Sequence, residues 1–161
     1  MGAPDGAEEQ FRLGQKFAGG RDAAPDFAAA ARCYREAAEQ SHARAQFSLG
    51  MLYAEGLGVP RDDAQAILWI GKSAEQGNPE AQFNLGMRHY RTVVRSRSED
   101  MPESRIEAYK WSCLAAAQGF PDSEATCNRM TLAMSRSEVS VGNQRAAAFL
   151  EEHAAPATLP A

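Results

Sequence analysis

The sequence predicts an all-α fold, an α-solenoid of three tandem helix pairs followed by two C-terminal capping helices. Three observations predict it: a five-residue block recurs at a fixed step, alanine supplies many of the hydrophobic residues, and only 8 of 161 residues are proline. Alanine-rich sequence favours closely packed helices over sheets. A repeat period of about 20–50 residues is typical of stacked repeats.

The recurring block reads Gln-Phe-x-Leu-Gly and occurs every 36 residues, at 10–14, 46–50 and 82–86. A second block, with Ala first and Gln third, follows at 38–41, 74–77 and 116–119. Its last step is 42 residues, so the third copy carries six extra residues. These steps predict a single domain over 1–153, with repeats at about 7–42, 43–78 and 79–120, a cap at 121–153 and a flexible tail at 154–161.

Each copy reads as two helices. The first helices are expected near Ala7–Ala18, Ala43–Glu55 and Pro79–Val94, and the second near Asp26–Gln40, Asp62–Gln76 and Glu103–Gln118. In the middle copy Ala45, Leu49 and Tyr53 recur every four residues, which predicts one buried stripe. Leu13 and Leu85 hold the repeat position of Leu49, and all three are expected to face the core.

The predicted helix ends carry capping signals. Side chains that can accept hydrogen bonds from free amides stand at the starts of the second helices, at Asp26, Asp62 and Ser104. Gly77 and Gly119 stand where a helix end favours a left-handed residue, and Ser41 replaces that glycine in the first copy.

Glycine also recurs inside the predicted first helices, at Gly14, Gly50 and Gly86. An interior glycine costs about 0.5–1 kcal/mol relative to alanine. Its recurrence at a fixed period therefore predicts that a neighbouring helix approaches too closely for a side chain.

The repeat pattern ends after the third copy. Residues Pro121–Met134 read as a helix, and Ser135–Glu138 resembles a capping box that opens a last helix through about Glu152. Such a cap is expected, because the final repeat of a solenoid would otherwise expose its stacking face.

The middle copy resembles the Sel-one-like repeat (SLR), a relative of the tetratricopeptide repeat. The likeness rests on the segments 45–53 (AQFSLGMLY), 56–59 (GLGV) and 72–77 (KSAEQG), together with Asp62 and Trp69. The first copy departs from it, with Cys33 in place of the tryptophan, and the third copy lacks the turn glycines. The resemblance implies a right-handed superhelix with a concave groove lined by the first helices. It also implies a scaffold or adaptor role, often in bacterial signalling or envelope assembly.

The candidate binding surface is that concave face. Repeat alignment places Arg12, Ser48 and Asn84 in one row and Lys16, Leu52 and Arg88 in the next, with Arg91 beyond them. Side chains that vary on a constant frame are what a recognition surface needs, although a merely solvated helix face fits the pattern equally well. The cations favour an acidic protein or peptide as the partner, held by charge-assisted hydrogen bonds. The inserted segment Arg95–Met101 is expected to be either a mobile secondary contact or a solvated linker.

Catalytic motifs do not support an enzyme. The sequence has no P-loop, GxSxG or HExxH motif, and His42, His89 and His153 lie far apart. One alternative is an atypical enzyme acting on cell-wall or β-lactam-like substrates. The resemblance suggests it, because one SLR subgroup binds or hydrolyses β-lactams, but that subgroup carries cysteine pairs that join the two helices of each repeat, and this sequence shows no such pairs. Another is a fragment of a longer repeat array, which exposed apolar surface on the first helix would indicate.

Composition and charge limit the kinds of partner, metal and cofactor that the chain is expected to bind. A net charge of −4 and a pI of about 5.4 disfavour nucleic acid, which binds basic surfaces. The three cysteines, Cys33, Cys113 and Cys127, form no CxxC pair and are expected to be small core or half-exposed residues, so no metal or cofactor is predicted.

No apolar run approaches the ~18 residues of a membrane span, and no leader is evident at the start. The expected location is the cytoplasm, or the periplasm or exterior if a leader has been removed, and solenoid ends could pair as a homodimer.

Overall fold

The computed structural model describes residues 4–19, 24–96 and 101–153, and within these ranges it contains eight α-helices and no strand. The helices are α1 (Pro4–Gly19), α2 (Phe27–Glu39), α3 (Ala43–Glu55), α4 (Asp63–Glu75), α5 (Pro79–Ser96), α6 (Pro102–Ala117), α7 (Ser123–Thr131) and α8 (Arg136–His153). The all-α prediction is confirmed. Of the predicted helices, α3 has both of its expected ends, and the others differ by at most three residues at an end.

Contacts between helices divide the chain into two compact units, Met1–Ala81 and Gln82–Ala161. The first unit holds α1–α4 and the start of α5, and the second holds the rest of α5 and α6–α8. The single domain expected from the sequence stays a prediction. The expected tail at 154–161 and residues 97–100 of the inserted segment lie outside the described residues.

In the first unit, successive helices pack in order from α1 to α4. Leu49 and Ile70 are fully buried, and Leu49 shares a core cluster with Tyr34 of α2. Leu85, in α5, is buried as well, so the expectation is confirmed for these two leucines. It is wrong for Leu13, which is 39% exposed. Leu49 lies on α3, which packs against the preceding helix α2. Leu13 lies on α1, the first described helix, so no described helix precedes it to cover the corresponding face.

The interior glycines lie at close helix contacts, as predicted. A Cβ placed on Gly14 would stand 2.5 Å from Cε1 of Tyr34 in α2. One placed on Gly86 would stand 2.8 Å from Oγ of Ser112 in α6, and Gly50 is equally crowded. At these distances a neighbouring group would have to shift to admit a Cβ, so the recurring glycine permits the close approach of the two helices of a repeat.

Helix starts follow the sequence signals in two of three cases. Asp26 and Asp62 accept backbone N–H bonds in the first turns of α2 and α4, which confirms both caps. The cap expected at Ser104 is wrong, because α6 already begins at Pro102. Proline suits the first helical position, where its fixed φ is helical and its missing N–H would have no partner. Met101, the residue before it, makes no side-chain cap bond.

Helix ends use the left-handed residues that were expected. Ser41, Gly77 and Gly119 have φ values of 64°, 83° and 73°. After Gly77, the N–H of Asn78 donates to the carbonyl of Ser73 at 3.2 Å. This backward bond closes the helix end, and the left-handed residue makes it possible.

In the second unit, α6 packs on both α7 and α8, so the two cap helices are confirmed. The capping box is present as well. The N–H of Ser135 donates to Oε2 of Glu138 at 2.7 Å, and the N–H of Glu138 donates to Oγ of Ser135 at 3.3 Å. Arg105 of α6 pairs with the same carboxylate at 2.7 Å, which ties α6 to the start of α8.

The two sequence blocks meet through their glutamines. In the first unit, Nε2 of Gln76 donates to Oε1 of Gln46 at 2.6 Å. In the second unit, Nε2 of Gln118 donates to Oε1 of Gln82 at 2.9 Å. The acceptors are 3% and 1% exposed, so each bond lies at a buried contact between helices. Sequence reasoning used these glutamines as repeat markers without assigning them this role.

Candidate functional site

The residues expected to form a binding surface fall in both units. The first unit holds Arg12, Lys16, Ser48 and Leu52, and the second holds Asn84, Arg88 and Arg91. Each group is described within its own unit.

In the first unit, Arg12 and Lys16 are exposed, and the carboxylate of Glu8 lies next to Arg12. Nε of Arg12 donates to Oε1 of Glu8 at 2.9 Å, and Lys16 is exposed one turn further along α1. The same carboxylate lies 2.9 Å from Nε2 of His42. Hydrogen bonds from His42 and then Arg12 hold the pKa of Glu8 below its ordinary value. The positive charge of Arg12 is therefore partly balanced within the unit.

The other two expected residues of the first unit differ in exposure. Ser48 is half-buried on α3 and shares a hydrogen bond with the Tyr34 hydroxyl. Leu52 is only 6% exposed and belongs to the core cluster. Leu52 thus contributes to packing, and it is not available as a surface contact in this structure.

In the second unit, α5 carries a basic strip. Asn84, Arg88, Arg91 and Arg95 follow one another at steps of four, three and four residues, which places them on one face of the helix. We call these four residues the α5 strip. Arg91 and Arg95 are exposed, and Arg88 and Asn84 are half-buried. Arg95 was expected to begin the inserted loop, and that assignment is wrong, because α5 continues two residues past its expected end at Val94.

Hydrogen bonds within α5 order part of the strip. Nε of Arg88 donates to Oδ1 of Asn84 at 3.0 Å, and Nε of Arg91 donates to the carbonyl of Met87 at 3.4 Å. Glu80, in the first turn, is the only acidic residue in the α5 sequence. Glu80 lies four residues before Asn84, so it begins the same face of the helix, and the guanidinium groups of the strip follow it toward the C-terminal end of α5.

A cluster of charged and aromatic side chains joins α6 to α8. Arg145 of α8 contacts Glu107 at 2.7 Å and Glu103 at 3.1 Å through its two terminal nitrogens. Nζ of Lys110 lies 4.2 Å from the centre of the Trp111 ring. Each charged group in this cluster has a partner on α6 or α8, so the arrangement is that of an interhelical tie.

His89, on α5, is the half-buried histidine closest to that cluster. Desolvation is the main cause that lowers its pKa, although Glu107 and Glu103 oppose the shift. The imidazole is therefore neutral at neutral pH. His42 bonds to Glu8 in the first unit, and His153 stacks on Phe149 at 4.0 Å, so each histidine serves a different contact.

The second unit also contains a cleft between α5, α6 and α7. Its lining is apolar apart from Tyr90 and Arg105, and Arg105 is already paired with Glu138. Among the described residues that line it there is no Ser, Thr, Cys, His, Asp, Glu or Lys. Throughout the described ranges, no three His, Cys, Asp or Glu side chains gather where they could hold a metal ion. None of the helices described is both long enough and apolar enough to cross a membrane.

The cysteines occupy core and half-buried positions, as expected, yet two of them meet. Cys33 and Cys127 are buried and Cys113 is half-buried. The Sγ atoms of Cys113 on α6 and Cys127 on α7 lie 3.1 Å apart. Their separation of 14 residues in sequence matches no common motif, so this contact could not be predicted from the cysteine spacing.

Comparison with known proteins identifies the repeats. The family model for the Sel1 repeat matches residues 10–42, 43–78 and 79–120. No curated protein matches the sequence.

Solved structures that are similar to this chain include the following two. One is a protective antigen present in uropathogenic Escherichia coli strains that displays an SLR fold, with a TM-score of 0.76 and 25% identity over 92% of this chain. This chain spans only 30% of that protein. The other is a Sel1 repeat protein from Oxalobacter formigenes, with a TM-score of 0.61 and 28% identity over 76% of this chain and 88% of that one.

Proposed function

The chain belongs to the Sel1-repeat family, and from this premise we propose that it is a binding scaffold whose α5 strip recognises an acidic segment of a protein or peptide. Sel1 repeats generally serve as protein-interaction scaffolds. A non-catalytic role is part of the proposal. The observation that carries it is a row of three arginines and one asparagine along a single face of α5, whose one acidic residue, Glu80, stands at the opposite end of the helix from Arg91 and Arg95.

The chemistry of the strip fits a carboxylate-bearing partner. A guanidinium group offers several N–H donors in a planar fork, and paired donors bind a carboxylate with two parallel hydrogen bonds. The bond from Arg88 to Asn84 holds one guanidinium in place before binding. A side chain that is already ordered loses less entropy on binding. Arg91 and Arg95 extend the same surface over two further turns.

Residues of the first unit supply a second, weaker surface in this proposal. Lys16 is exposed, and Ser48 is half-buried and already shares a hydrogen bond with Tyr34. Arg12 contributes less, because Glu8 already accepts its hydrogen bond. We therefore expect substitutions in the α5 strip to weaken binding more than substitutions in α1.

A random peptide library selected against the immobilised protein tests the proposal without a known partner. Selected peptides should be enriched in Asp and Glu. Their affinity should fall at least about tenfold in the Arg88→Glu/Arg91→Glu variant, since one or two charge-assisted hydrogen bonds are worth about 1.5–3 kcal/mol each.

The matched control is Arg32→Glu/Arg129→Glu, which makes the same change in charge on α2 and α7. Both Arg32 and Arg129 are exposed. Circular dichroism should show that both variants keep their helices. Peptides without acidic enrichment, or an equal loss of affinity in the two variants, would contradict the α5 strip as the binding surface.

We also propose that the protein can form a homodimer, and that it works in the cytoplasm, or in the periplasm or outside the cell if a leader has been removed. A homodimer formed through a solenoid end would cover Leu13 and Phe17 of α1, which are 39% and 36% exposed. Sedimentation velocity of Leu13→Glu against the wild-type protein tests this, and a monomeric wild type would refute it. Whether the chain works in the cytoplasm or outside it is tested by fractionating cells that express its full-length gene.

A further inference from the structure

Two thiols of the second unit lie within reach of each other. Cys113 is on α6 and Cys127 is on α7, and these two helices pack together. Their Sγ atoms are 3.1 Å apart. A disulfide requires about 2.05 Å between the sulfurs, so a shift of about 1 Å would bring them to bonding distance.

We propose that Cys113 and Cys127 form a thiol–disulfide exchange site, which reacts with low-molecular-weight disulfides of the glutathione type and closes into an intramolecular disulfide between α6 and α7. This site is independent of the α5 strip, which contains no cysteine.

The exposure of the two residues orders the steps. Cys127 is 7% exposed, whereas Cys113 is half-buried and is the thiol that a small molecule can reach. Cys113 therefore attacks the incoming disulfide, and Cys127 completes the reaction from its protected position behind it.

Hydrogen bonds favour the same order. A thiolate at Cys113 can accept hydrogen bonds from the Cys127 thiol and the Tyr109 hydroxyl. These bonds stabilise the thiolate and lower the pKa of Cys113. The same contact raises the pKa of Cys127, because a negative charge there would face Cys113, and burial adds to this. A thiolate is the attacking species in exchange, so the more acidic thiol is the more reactive one.

The reaction balances in two exchanges. The Cys113 thiolate attacks one sulfur of the small disulfide, which forms a mixed disulfide and releases one small thiolate. Cys127 then loses its proton to solvent and attacks Sγ of Cys113, which forms the protein disulfide and releases the second small thiolate. The protein loses two electrons and two protons, and the small disulfide is reduced to two thiols.

Cys33 takes no part in this chemistry and serves as an internal control. It is buried on α2 in the first unit, where desolvation raises the pKa of its thiol. Replacing it by serine leaves a protein whose only cysteines are the proposed pair.

The test treats the full-length Cys33→Ser protein with mixtures of reduced and oxidised glutathione, blocks free thiols with N-ethylmaleimide and measures intact mass and peptide maps. We expect a Cys113–Cys127 cross-linked peptide and no lasting glutathione adduct. We also expect the oxidised protein to melt about 5 °C or more above the reduced one, because closing the loop restricts the unfolded chain.

Two further variants in the Cys33→Ser background assign the steps. With Cys127→Ala, Cys113 should accumulate a glutathione adduct, since the second exchange is blocked. With Cys113→Ala, the remaining thiol should react at least about tenfold more slowly. Circular dichroism checks that both variants stay folded.

Three results would overturn the proposal. The first is that both thiols stay open to alkylation under the most oxidising mixture. The second is a stable glutathione adduct in the protein that carries both cysteines. The third is equal reaction rates for the two single-cysteine variants, which would remove Cys113 as the attacking thiol.

Discussion

Ile70 of α4 lies directly over Gly50 of α3, and a Cβ on Gly50 would stand only 2.7 Å from its Cγ1 atom. The carbonyl of Ala66 lies 3.1 Å from the same point, so the backbone of α4 confines the site as well. Side chains at such contacts have to leave their preferred rotamers to admit extra volume.

We therefore expect Gly50→Ala to lower the free energy of unfolding by about 1–3 kcal/mol, the usual cost of overpacking. Gly71→Ala, on α4, is the matched control because nothing lies within 4 Å of its Cβ position. That change should raise stability by about 0.5–1 kcal/mol through helix propensity. Chemical denaturation of both variants checks the pair, and a neutral Gly50→Ala would refute the close contact.

Two fully buried serines should respond in opposite directions to replacement by alanine. Oγ of Ser73 donates to the carbonyl of Ala43 at 2.7 Å, whereas Oγ of Ser112 has no hydrogen-bond partner among the described residues. Ser73→Ala should cost about 1 kcal/mol. Ser112→Ala should be neutral or stabilising, because a buried hydroxyl without a partner is itself unfavourable. Urea titrations of the two variants measure this, and equal losses would contradict it.

The Glu138 carboxyl should make stability depend on pH. Burial pushes its pKa upward, but hydrogen bonds from Ser135 and the Arg105 guanidinium outweigh burial, so the pKa lies below its ordinary value of 4.5. A carboxyl with a lower pKa in the folded state stabilises the fold fully above pH 4.5, and this contribution disappears as the pH falls through the folded pKa.

The free energy of unfolding of Glu138→Gln should thus lie below that of the wild type at neutral pH, and the gap should close below pH 4.5. Denaturation curves across the acid range give the comparison. Glu151→Gln, an exposed position on the same helix, is the control and should track the wild type. A gap that stays constant with pH would rule out the linkage.

Replacing Ser41 by glycine should raise the stability of the protein. Its φ of 64° lies in the left-handed region, which costs a residue with a side chain about 1–2 kcal/mol. Ser41→Gly is expected to recover about 1 kcal/mol, whereas Ser140→Gly, at an exposed position inside α8, should lose stability. Melting temperatures of the two variants should shift in opposite directions, and a lower value for Ser41→Gly would be the contrary result.

Most of the fold could be predicted because the same contacts between helices recur in each repeat. Matched positions such as Gly50 and Gly86 face matched helix contacts, so a period in the sequence becomes a period in packing. Leu13 shows where this reasoning fails. Its sequence position equals that of Leu49, but burial depends on a neighbouring helix, and α1 has no preceding one among the described residues.

The candidate surface was only partly predictable. Repeat alignment placed Arg88 on the predicted surface with Arg91 beyond it, and helical spacing adds Arg95 once the true end of α5 is known. Leu52 was assigned to the surface by alignment with Lys16 and Arg88, yet its side chain completes the core. The contact between Cys113 and Cys127 depends on how α7 folds back, which no local pattern encodes.

The bond from Gln118 to Gln82 spans 36 residues, whereas the bond from Gln76 to Gln46 spans 30. Both close the same kind of contact, although the third copy is six residues longer. The extra length lies in α5, which has 18 residues against 13 in α3, and it is added at the end of the helix away from its glutamine. A repeat of this kind can therefore be lengthened at that end without disturbing the contact between its two glutamines.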